Sequence, residues 1–380
     1  MTDFFPYSRQ AIDEEDIAAV VSVLKSDYLT QGPAVEAFEK ALSEYAGACY
    51  AVVFSSGTAA LHAAYFAAGL GQADEMITSP ITFAATSNAA LMLGIKPVFV
   101  DVEGDTGNID LGLAGPAVKP KTKAVVPVHY AGHPADMDGI RDIARKHGLI
   151  VIEDACHAIG AQYSGRKIGG LSDITVFSFH PVKPITTGEG GAALTNDRGI
   201  YRRLKQFRTH GITREDFVNE SHGDWYYEMQ FLGNNYRMTD IQAALGTSQL
   251  KKLDAFTRRR RYIAERYSLA FKDNPYFDLP PERGYAYSSY HLYPVRLKDG
   301  YKDKRRAIFT QMRKAGLGVQ VHYIPVYLQP YYQKLGYERG LCPIAEDFYQ
   351  REISIPIYPA MGDGEINSVV TRIFEVFKHL

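Results

Sequence analysis

The chain reads as an α/β protein, with a seven-stranded, mostly parallel sheet in a large domain and a smaller C-terminal α/β domain. Two observations carry that reading. Seven short apolar runs rich in β-branched residues recur between residues 50 and 200, separated by helical or loop segments. Runs such as Leu149-Ile150-Val151-Ile152 are apolar at every position, as expected of strands covered on both faces; a half-exposed antiparallel strand would alternate.

In chain order, the strands are expected at 51–55, 75–79, 97–102, 124–129, 149–154, 175–179 and 192–195. The first runs into Ser55-Ser56-Gly57-Thr58-Ala59-Ala60-Leu61, a turn of small residues that opens a helix. Thr82-Phe83-Ala84-Ala85-Thr86 follows the second, and Glu153-Asp154-Ala155-Cys156-His157-Ala158 closes the fifth. From 238 to 271 the pattern predicts a long helix starting near Thr239-Asp240, with Ile241, Leu245, Leu250 and Leu253 on one face. Its run Arg258-Arg259-Arg260-Arg261 is expected on a solvated surface. The domain boundary is placed along this helix, giving a large domain over 1–250 and a small one over 251–380. The latter mixes strands such as 291–297 with helices at 304–315 and 364–380. Neither internal repeats nor low-complexity segments interrupt the chain.

Composition narrows the function. With 380 residues, 46% of them hydrophobic, the chain can bury a sizeable core. Forty-two Lys plus Arg against 43 Asp plus Glu leave a net charge of -1, so no global field recruits nucleic acid or an anionic membrane. An anionic ligand must therefore be held locally. Cys49, Cys156 and Cys342 are too few and too dispersed for a disulfide framework or a paired-cysteine metal site, and no metal is expected. A reducing cytoplasm fits best. The start, Met1-Thr2-Asp3-Phe4-Phe5-Pro6-Tyr7, lacks a basic region followed by an apolar core, and no segment holds eighteen uninterrupted apolar residues. Neither export nor membrane insertion is expected.

In open α/β sheets, ligands bind beyond the carboxyl ends of the strands. Asp154 ends one strand, and Lys183 follows the next within Ser178-Phe179-His180-Pro181-Val182-Lys183-Pro184-Ile185-Thr186-Thr187-Gly188-Glu189-Gly190-Gly191. Pyridoxal phosphate needs such a pair, a lysine amine to hold it as a Schiff base and a carboxylate to keep its pyridine nitrogen protonated. Alone, either residue could be a solvated lysine or a strand-end cap. The turn at 55–61 could hold the cofactor phosphate, since a helix N-terminus presents free N–H groups and Gly57 permits close approach; a plain Ser/Thr N-cap would also satisfy it. Phe83 is the candidate to stack on the pyridine ring, or else a core phenylalanine. Ser178 could add a hydroxyl to the phosphate, and His157 could meet the ring's phenolic oxygen or be a satisfied core histidine.

Taken together, Ser55 to Leu61, Glu153-Asp154-Ala155, Phe177-Ser178-Phe179-His180 with Lys183, Gly188-Glu189-Gly190-Gly191 and Asn235-Tyr236-Arg237 resemble the DegT/DnrJ/EryC1 family of nucleotide-sugar aminotransferases over essentially the whole chain. The resemblance implies the aspartate aminotransferase architecture (fold type I) and a homodimer with active sites at the subunit interface. It also implies pyridoxal phosphate as cofactor, cycling through its amine form, with L-glutamate as amino donor. By the same resemblance Lys183 is the Schiff-base lysine and Asp154 the pyridinium partner. Gly57, Thr58 and Ser178 become phosphate ligands, and Asn235 reaches the phosphate in the neighbouring subunit. Some members carry histidine in place of this lysine and act as sugar dehydratases; the intact Lys183 points to amino transfer.

Within the family, four stretches resemble the members that aminate a UDP-linked 4-keto-6-deoxy-N-acetylhexosamine of L-altro (L-arabino) configuration on the way to pseudaminic acid. They are 177–196, Phe271-Lys272-Asp273-Asn274-Pro275-Tyr276-Phe277, His291-Leu292-Tyr293-Pro294, and Gln320-Val321-His322-Tyr323-Ile324-Pro325-Val326-Tyr327. Gly188 departs from an alanine found there, and the segment 211–233, with Trp225-Tyr226-Tyr227, looks longer and more aromatic, which could remodel the sugar or nucleotide pocket. The likeness implies substrate contacts at Tyr7, at Tyr28, Leu29 and Thr30, at Ser56, and at Gln320, Val321, His322 and Tyr323. Arg237 is a candidate clamp for diphosphate, because a guanidinium matches phosphate oxygens bidentately. Packing or surface roles are the alternatives for each. Two other functions stay open: amination of another nucleotide-linked keto-sugar, such as UDP-4-keto-6-deoxy-GlcNAc, and a non-catalytic protein that retains pyridoxal phosphate.

Overall fold

All seven expected strands form and join one sheet. The computed structural model of the chain describes residues 4–379. The strands are β1 (Tyr50–Phe54), β2 (Glu75–Thr78), β3 (Lys96–Phe99), β4 (Thr122–Val126), β5 (Ile150–Asp154), β6 (Ile174–Ser178) and β7 (Gly191–Thr195), in the spatial order β1-β7-β6-β5-β4-β2-β3. Neighbours from β6 to β3 run parallel, and β7 lies antiparallel between β6 and β1.

The uninterrupted apolar runs have a physical reason. Side chains alternate across a strand, and here both faces are covered. Val53, Val125, Val151 and Leu194 face one core, shared with Phe38 and Leu42. Val52, Phe54, Ile152 and Val176 face another, shared with Ala60, Leu61 and Ala64. Phe38 and Leu42 come from α2 (Pro33–Ala46), which follows α1 (Glu14–Leu24); the other three residues lie on α3 (Gly57–Ala67). A further helix, α4 (Ala85–Leu91), follows β2.

The long helix α5 spans Asp240–Ala270 and starts where the sequence places it. Thr239 caps it: its hydroxyl accepts the Gln242 N–H, and the Gln242 side chain accepts the Thr239 N–H. The buried stripe differs from the expected face. Ala243, Gly246, Leu250 and Leu253 turn inward, while Ile241 and Leu245 are half-buried on the neighbouring face. Gly246 sits against Phe38 of α2 so closely that a Cβ there would lie 2.5 Å from the ring.

The arginine run also departs from expectation. Four consecutive residues point in directions about 100° apart, so one must face inward. That residue is Arg260, fully buried. Its guanidinium donates to the carbonyls of Tyr290, His291 and Ile357 at 3.3, 3.2 and 2.9 Å, with Ser8 Oγ at 3.5 Å. Burial without a carboxylate partner pulls its pKa down to about 9.

Beyond Leu253, α5 enters a second core through Ile263, Ala264 and Tyr267. There it meets a three-stranded antiparallel sheet, β8 (Phe277–Asp278), β9 (Tyr293–Leu297) and β10 (Glu352–Ile355), with β9 central. The helices α6 (Arg305–Lys314) and α7 (Asp363–Lys378) cover it, and Phe5 from the N-terminal segment joins the same core. Gln320 bridges to Ser354 of β10, which brings 320–323 over the carboxyl ends of the large sheet. Among the described residues no helix is long and apolar enough to cross a membrane.

Candidate active site

A cavity of about 730 Å³ opens where β5 and β6 end, roofed by 320–323 and floored by the N-terminus of α3. Asp154, the last residue of β5, is 5% exposed there. One carboxylate oxygen, Oδ2, accepts the Thr86 hydroxyl at 2.6 Å, and Oδ1 accepts the Cys156 N–H at 3.1 Å. Thr86 has one proton to give, so the hydroxyl of Thr82, 2.7 Å away, is the donor to it. Neither threonine stood out in the sequence. Their spacing of four residues around Phe83 was the available signal, but their partner lies 68 residues away.

Lys183 follows β6 and is half-buried. Its loop is fixed by three contacts: the Lys183 N–H donates to the His180 carbonyl at 2.9 Å, the Thr187 N–H to the Phe179 carbonyl at 3.0 Å, and Ser8 Oγ to the Val182 carbonyl at 2.9 Å. Ser8 is the hydroxyl that Arg260 touches, so the buried arginine braces the lysine loop from behind. Desolvation lowers the Lys183 pKa, opposed by the nearby Cys156 and Asp154. A neutral amine is therefore easier to reach than on a free lysine.

His157 is buried beside them, its Nε2 3.0 Å from the Tyr323 hydroxyl and its ring 4.5 Å from that of His291. Burial, with Lys183 and His322 adding repulsion, holds it well below the ordinary histidine value, so the ring is neutral. Its Nδ1 is buried without a partner among the described residues, the signature of an acceptor or donor waiting for a ligand atom. Phe83 stands at the cavity rim, 61% exposed, its ring 6.2 Å from that of Tyr323.

Ser56, Gly57, Thr58 and Ser178 line the remaining wall. Ser56 caps α3 through the Ala59 N–H at 3.1 Å, leaving the first N–H groups of the helix unbonded along its axis. Gly57 passes so close to β6 that a Cβ would lie 2.9 Å from Cβ of Ser178. The set fits pyridoxal phosphate: a primary amine, a carboxylate held by two donors, an unpartnered imidazole nitrogen and a hydroxyl-rich helix N-terminus for the phosphate. Substitution of Gly57 by Ala should then push the turn off Ser178. Overpacking of this kind costs about 1–3 kcal/mol, so cofactor affinity, followed by absorbance titration, should fall roughly tenfold or more.

Of the sequence candidates, Tyr7, Ser56, Gly57, Thr58, Phe83, Asp154, His157, Ser178, Lys183, Gln320, Val321, His322 and Tyr323 all line this one cavity. Tyr28, Leu29, Thr30, Asn235 and Arg237 do not. Tyr28 and Leu29 are exposed, Thr30 pairs with Thr239, and Asn235 pairs with Thr209. The 211–233 segment is likewise absent from the cavity wall. Glu228 folds it back on itself, accepting the N–H groups of Val218 and Asn219, each at 2.7 Å, while Trp225 stays exposed.

A mostly parallel seven-stranded sheet with a second core packed at its carboxyl end is the architecture of the fold type I, pyridoxal-phosphate-dependent aminotransferases. The chain belongs to the DegT/DnrJ/EryC1/StrS aminotransferase family, whose sequence model matches residues 10–374. It is 41% identical over 375 residues to the UDP-4-amino-4,6-dideoxy-N-acetyl-beta-L-altrosamine transaminase of Campylobacter jejuni, covering 98% of this chain and 97% of that one. Among solved structures, Helicobacter pylori PseC, an aminotransferase involved in the biosynthesis of pseudoaminic acid, superposes with a TM-score of 0.93 at 37% identity, all of both chains covered. The PLP-form of the putative sugar aminotransferase Spr1654 from Streptococcus pneumoniae matches with a TM-score of 0.93 at 30% identity, covering 99% of each chain.

Proposed function

We propose that the protein transfers the amino group of L-glutamate to C4 of a UDP-linked 4-keto-6-deoxy-N-acetylhexosamine of L-altro (L-arabino) configuration. The product is UDP-4-amino-4,6-dideoxy-N-acetyl-β-L-altrosamine, an intermediate for pseudaminic acid. The observation that carries the proposal is one cavity in which Lys183 and Asp154 face the α3 N-terminus on one side and 320–323 on the other. The names of relatives at this level of identity support the choice of sugar.

Bound in this cavity, pyridoxal phosphate supplies the electron sink that lets a carbon bonded to nitrogen release its proton. Asp154 holds positive charge on the pyridine nitrogen, with Thr86 and Cys156 N–H keeping the carboxylate in place. Gly57, Thr58 and Ser178 take the phosphate, Phe83 covers the ring, and His157 Nδ1 meets its phenolic oxygen. Lys183 anchors the group and, once released, carries a proton to and from C4 of the sugar. Glutamate leaves as its 2-oxo acid, taking its new oxygen from one water, and the C4 oxygen leaves as another, so no water is gained or lost overall.

Tyr7, Ser56, Gln320, Val321, His322 and Tyr323 contact the sugar nucleotide. Tyr28, Leu29, Thr30 and Arg237 reach it from a second copy of the chain, and Asn235 of that copy reaches the cofactor phosphate, in a homodimer whose sites lie at the interface. Their position outside the cavity of a single chain supports this. We also divide the chain near residue 250, where α5 passes from the first core to the second. Nucleotide sugars and glutamate are both cytoplasmic metabolites, and the cytoplasm is the proposed location.

The test is spectroscopic. Glutamate should bleach the visible band of the cofactor-loaded protein, and the L-configured UDP-keto-sugar should restore it. Restoration only by UDP-4-keto-6-deoxy-GlcNAc would replace the sugar and keep the reaction. A band that glutamate leaves unchanged would remove the reaction itself.

A further inference from the structure

His322, on the cavity wall, is one end of a buried hydrogen-bonded chain that the reaction above does not use. Its Nδ1 lies 2.8 Å from Ser354 Oγ, and that oxygen lies 2.5 Å from Glu352 Oε1. The other carboxyl oxygen, Oε2, accepts the backbone N–H of His322 at 2.7 Å. Glu352 and Ser354 both belong to β10 and are fully buried. The strand is locked to the histidine segment by paired backbone bonds between Gln320 and Ser354, and the Tyr130 hydroxyl holds the His322 carbonyl at 2.6 Å.

The groups packed around Glu352 do not neutralise it. Arg296, its cross-strand partner, turns its guanidinium to the Gly104 carbonyl, and Arg305 turns to the Tyr349 carbonyl, acting on Glu352 only at a distance. Burial keeps Tyr130 and Tyr323 protonated. Burial pushes the Glu352 carboxyl up to about 8, against the hydrogen bonds of Ser354 and the His322 N–H and the pull of Arg305. Burial and the charge of Lys183 hold His322 at about 3, so its ring is neutral.

A neutral imidazole carries one ring proton, and a hydroxyl donates one. While Glu352 is protonated, Oε2 is occupied as an acceptor, so the acid proton sits on Oε1 and goes to Ser354. Ser354 then donates to Nδ1, and the ring proton is on Nε2, the nitrogen left for the cavity. When the chain loses a proton, it leaves from Nε2 into the cavity, and each bond reverses. Nδ1–H donates to Ser354, Ser354 donates to an ionised Glu352, and Nε2 becomes a bare acceptor.

We propose that Glu352, acting through Ser354, sets the tautomer of His322, so that Nε2–H donates to an oxygen of the sugar nucleotide only while Glu352 is protonated. The identity of that ligand rests on the function proposed above; the chain itself does not. Glu352 and Ser354 are positioning residues, and His322 makes the contact.

Long-range proton–nitrogen NMR of the holoenzyme labelled with nitrogen-15 histidine reads the tautomer directly, with His322→Gln assigning the ring. The Nε2–H form is expected at neutral pH, giving way to Nδ1–H as pH rises through about 8. Glu352→Gln keeps a permanent donor toward Ser354 and an acceptor for the His322 N–H, so the Nε2–H form should persist at every pH. Ser354→Ala should uncouple the ring from the titration. In parallel, KM for the UDP-keto-sugar should rise about tenfold across the same limb in the native enzyme, the worth of one hydrogen bond, and stay flat in Glu352→Gln. A single tautomer throughout, or a swap that survives in Glu352→Gln or Ser354→Ala, overturns the relay. A swap without the KM limb overturns the contact to substrate. If the UDP-keto-sugar is no substrate at all, the proposed function fails, and the NMR result still decides whether Glu352 governs His322.

Discussion

Lys183→Ala should abolish proton transfer while leaving the cavity able to hold its cofactor. Among the described residues that line the cavity, the amine of Lys183 is the only basic nitrogen on a flexible stem long enough to serve both the cofactor and the sugar C4. His157 and His322 are neutral, but each ring is held in place by a hydroxyl, Tyr323 and Ser354, so neither can swing between the two. A positioned acid–base group contributes about 10²–10⁴ in rate, and Lys183 acts in both half-reactions. We therefore expect turnover to fall by about 10⁴-fold. Loss of deuterium from C2-labelled glutamate, measured in a single half-reaction, separates this from weak binding. Lys183→Arg should be equally inactive, since a guanidinium does not give up its proton near neutrality. The pH dependence has a definite sign. Desolvation lowers the Lys183 pKa from 10.5, so the base-active amine accumulates as pH rises and should plateau below the range of a free lysine. Deuterium washout in Lys183→Ala at more than a tenth of the native rate would take the residue out of this role.

Much of the framework was readable because it is periodic. The strands of the large sheet bury most of both faces, so Val52-Val53-Phe54 and Ile150-Val151-Ile152 announce themselves without any partner in view. The strand-end position of Asp154 and the loop position of Lys183 followed from that frame together with chemistry, and the fold places both on one cavity. What escaped reading were side chains whose meaning depends on distant backbone. Arg260 belongs to a polar run, and the carbonyls that receive it come from residues 30, 31 and 97 positions away. Thr82 and Thr86 matter only because β5 and α4 converge. Glu352 and Ser354 alternate with Ile353 and Ile355 as any half-polar strand does, yet the Gln320 bridge turns both toward His322. Periodicity locates elements, whereas a buried polar group acquires its function from whichever donors and acceptors tertiary packing delivers.

That dependence is sharpest at Asp154, where replacement by Asn changes charge with almost no change in shape. Two donors converge on the native carboxylate: the Cys156 N–H, fixed by the backbone, and the Thr86 hydroxyl, free to rotate. An amide has one oxygen, which must face the Cys156 N–H, so its NH₂ turns toward Thr86 and the hydroxyl becomes an acceptor. The threonine pair can then reverse, Thr86 donating back to Thr82. Packing therefore survives, and the cofactor should still bind. The negative charge that would stabilise a protonated pyridine nitrogen is gone, and in a buried site such preorganised charge is worth about 10²–10³ in rate. We expect kcat for amino transfer to fall by about 10³-fold, with the cofactor's affinity little changed. Thr86→Val provides the contrast: it keeps the charge and removes one donor, a loss of about 1 kcal/mol, so kcat should fall only several-fold. If Asp154→Asn and Thr86→Val proved equally slow, orientation rather than charge would be what Asp154 contributes. If Asp154→Asn turned over at the native rate, the carboxylate would have no part in the reaction.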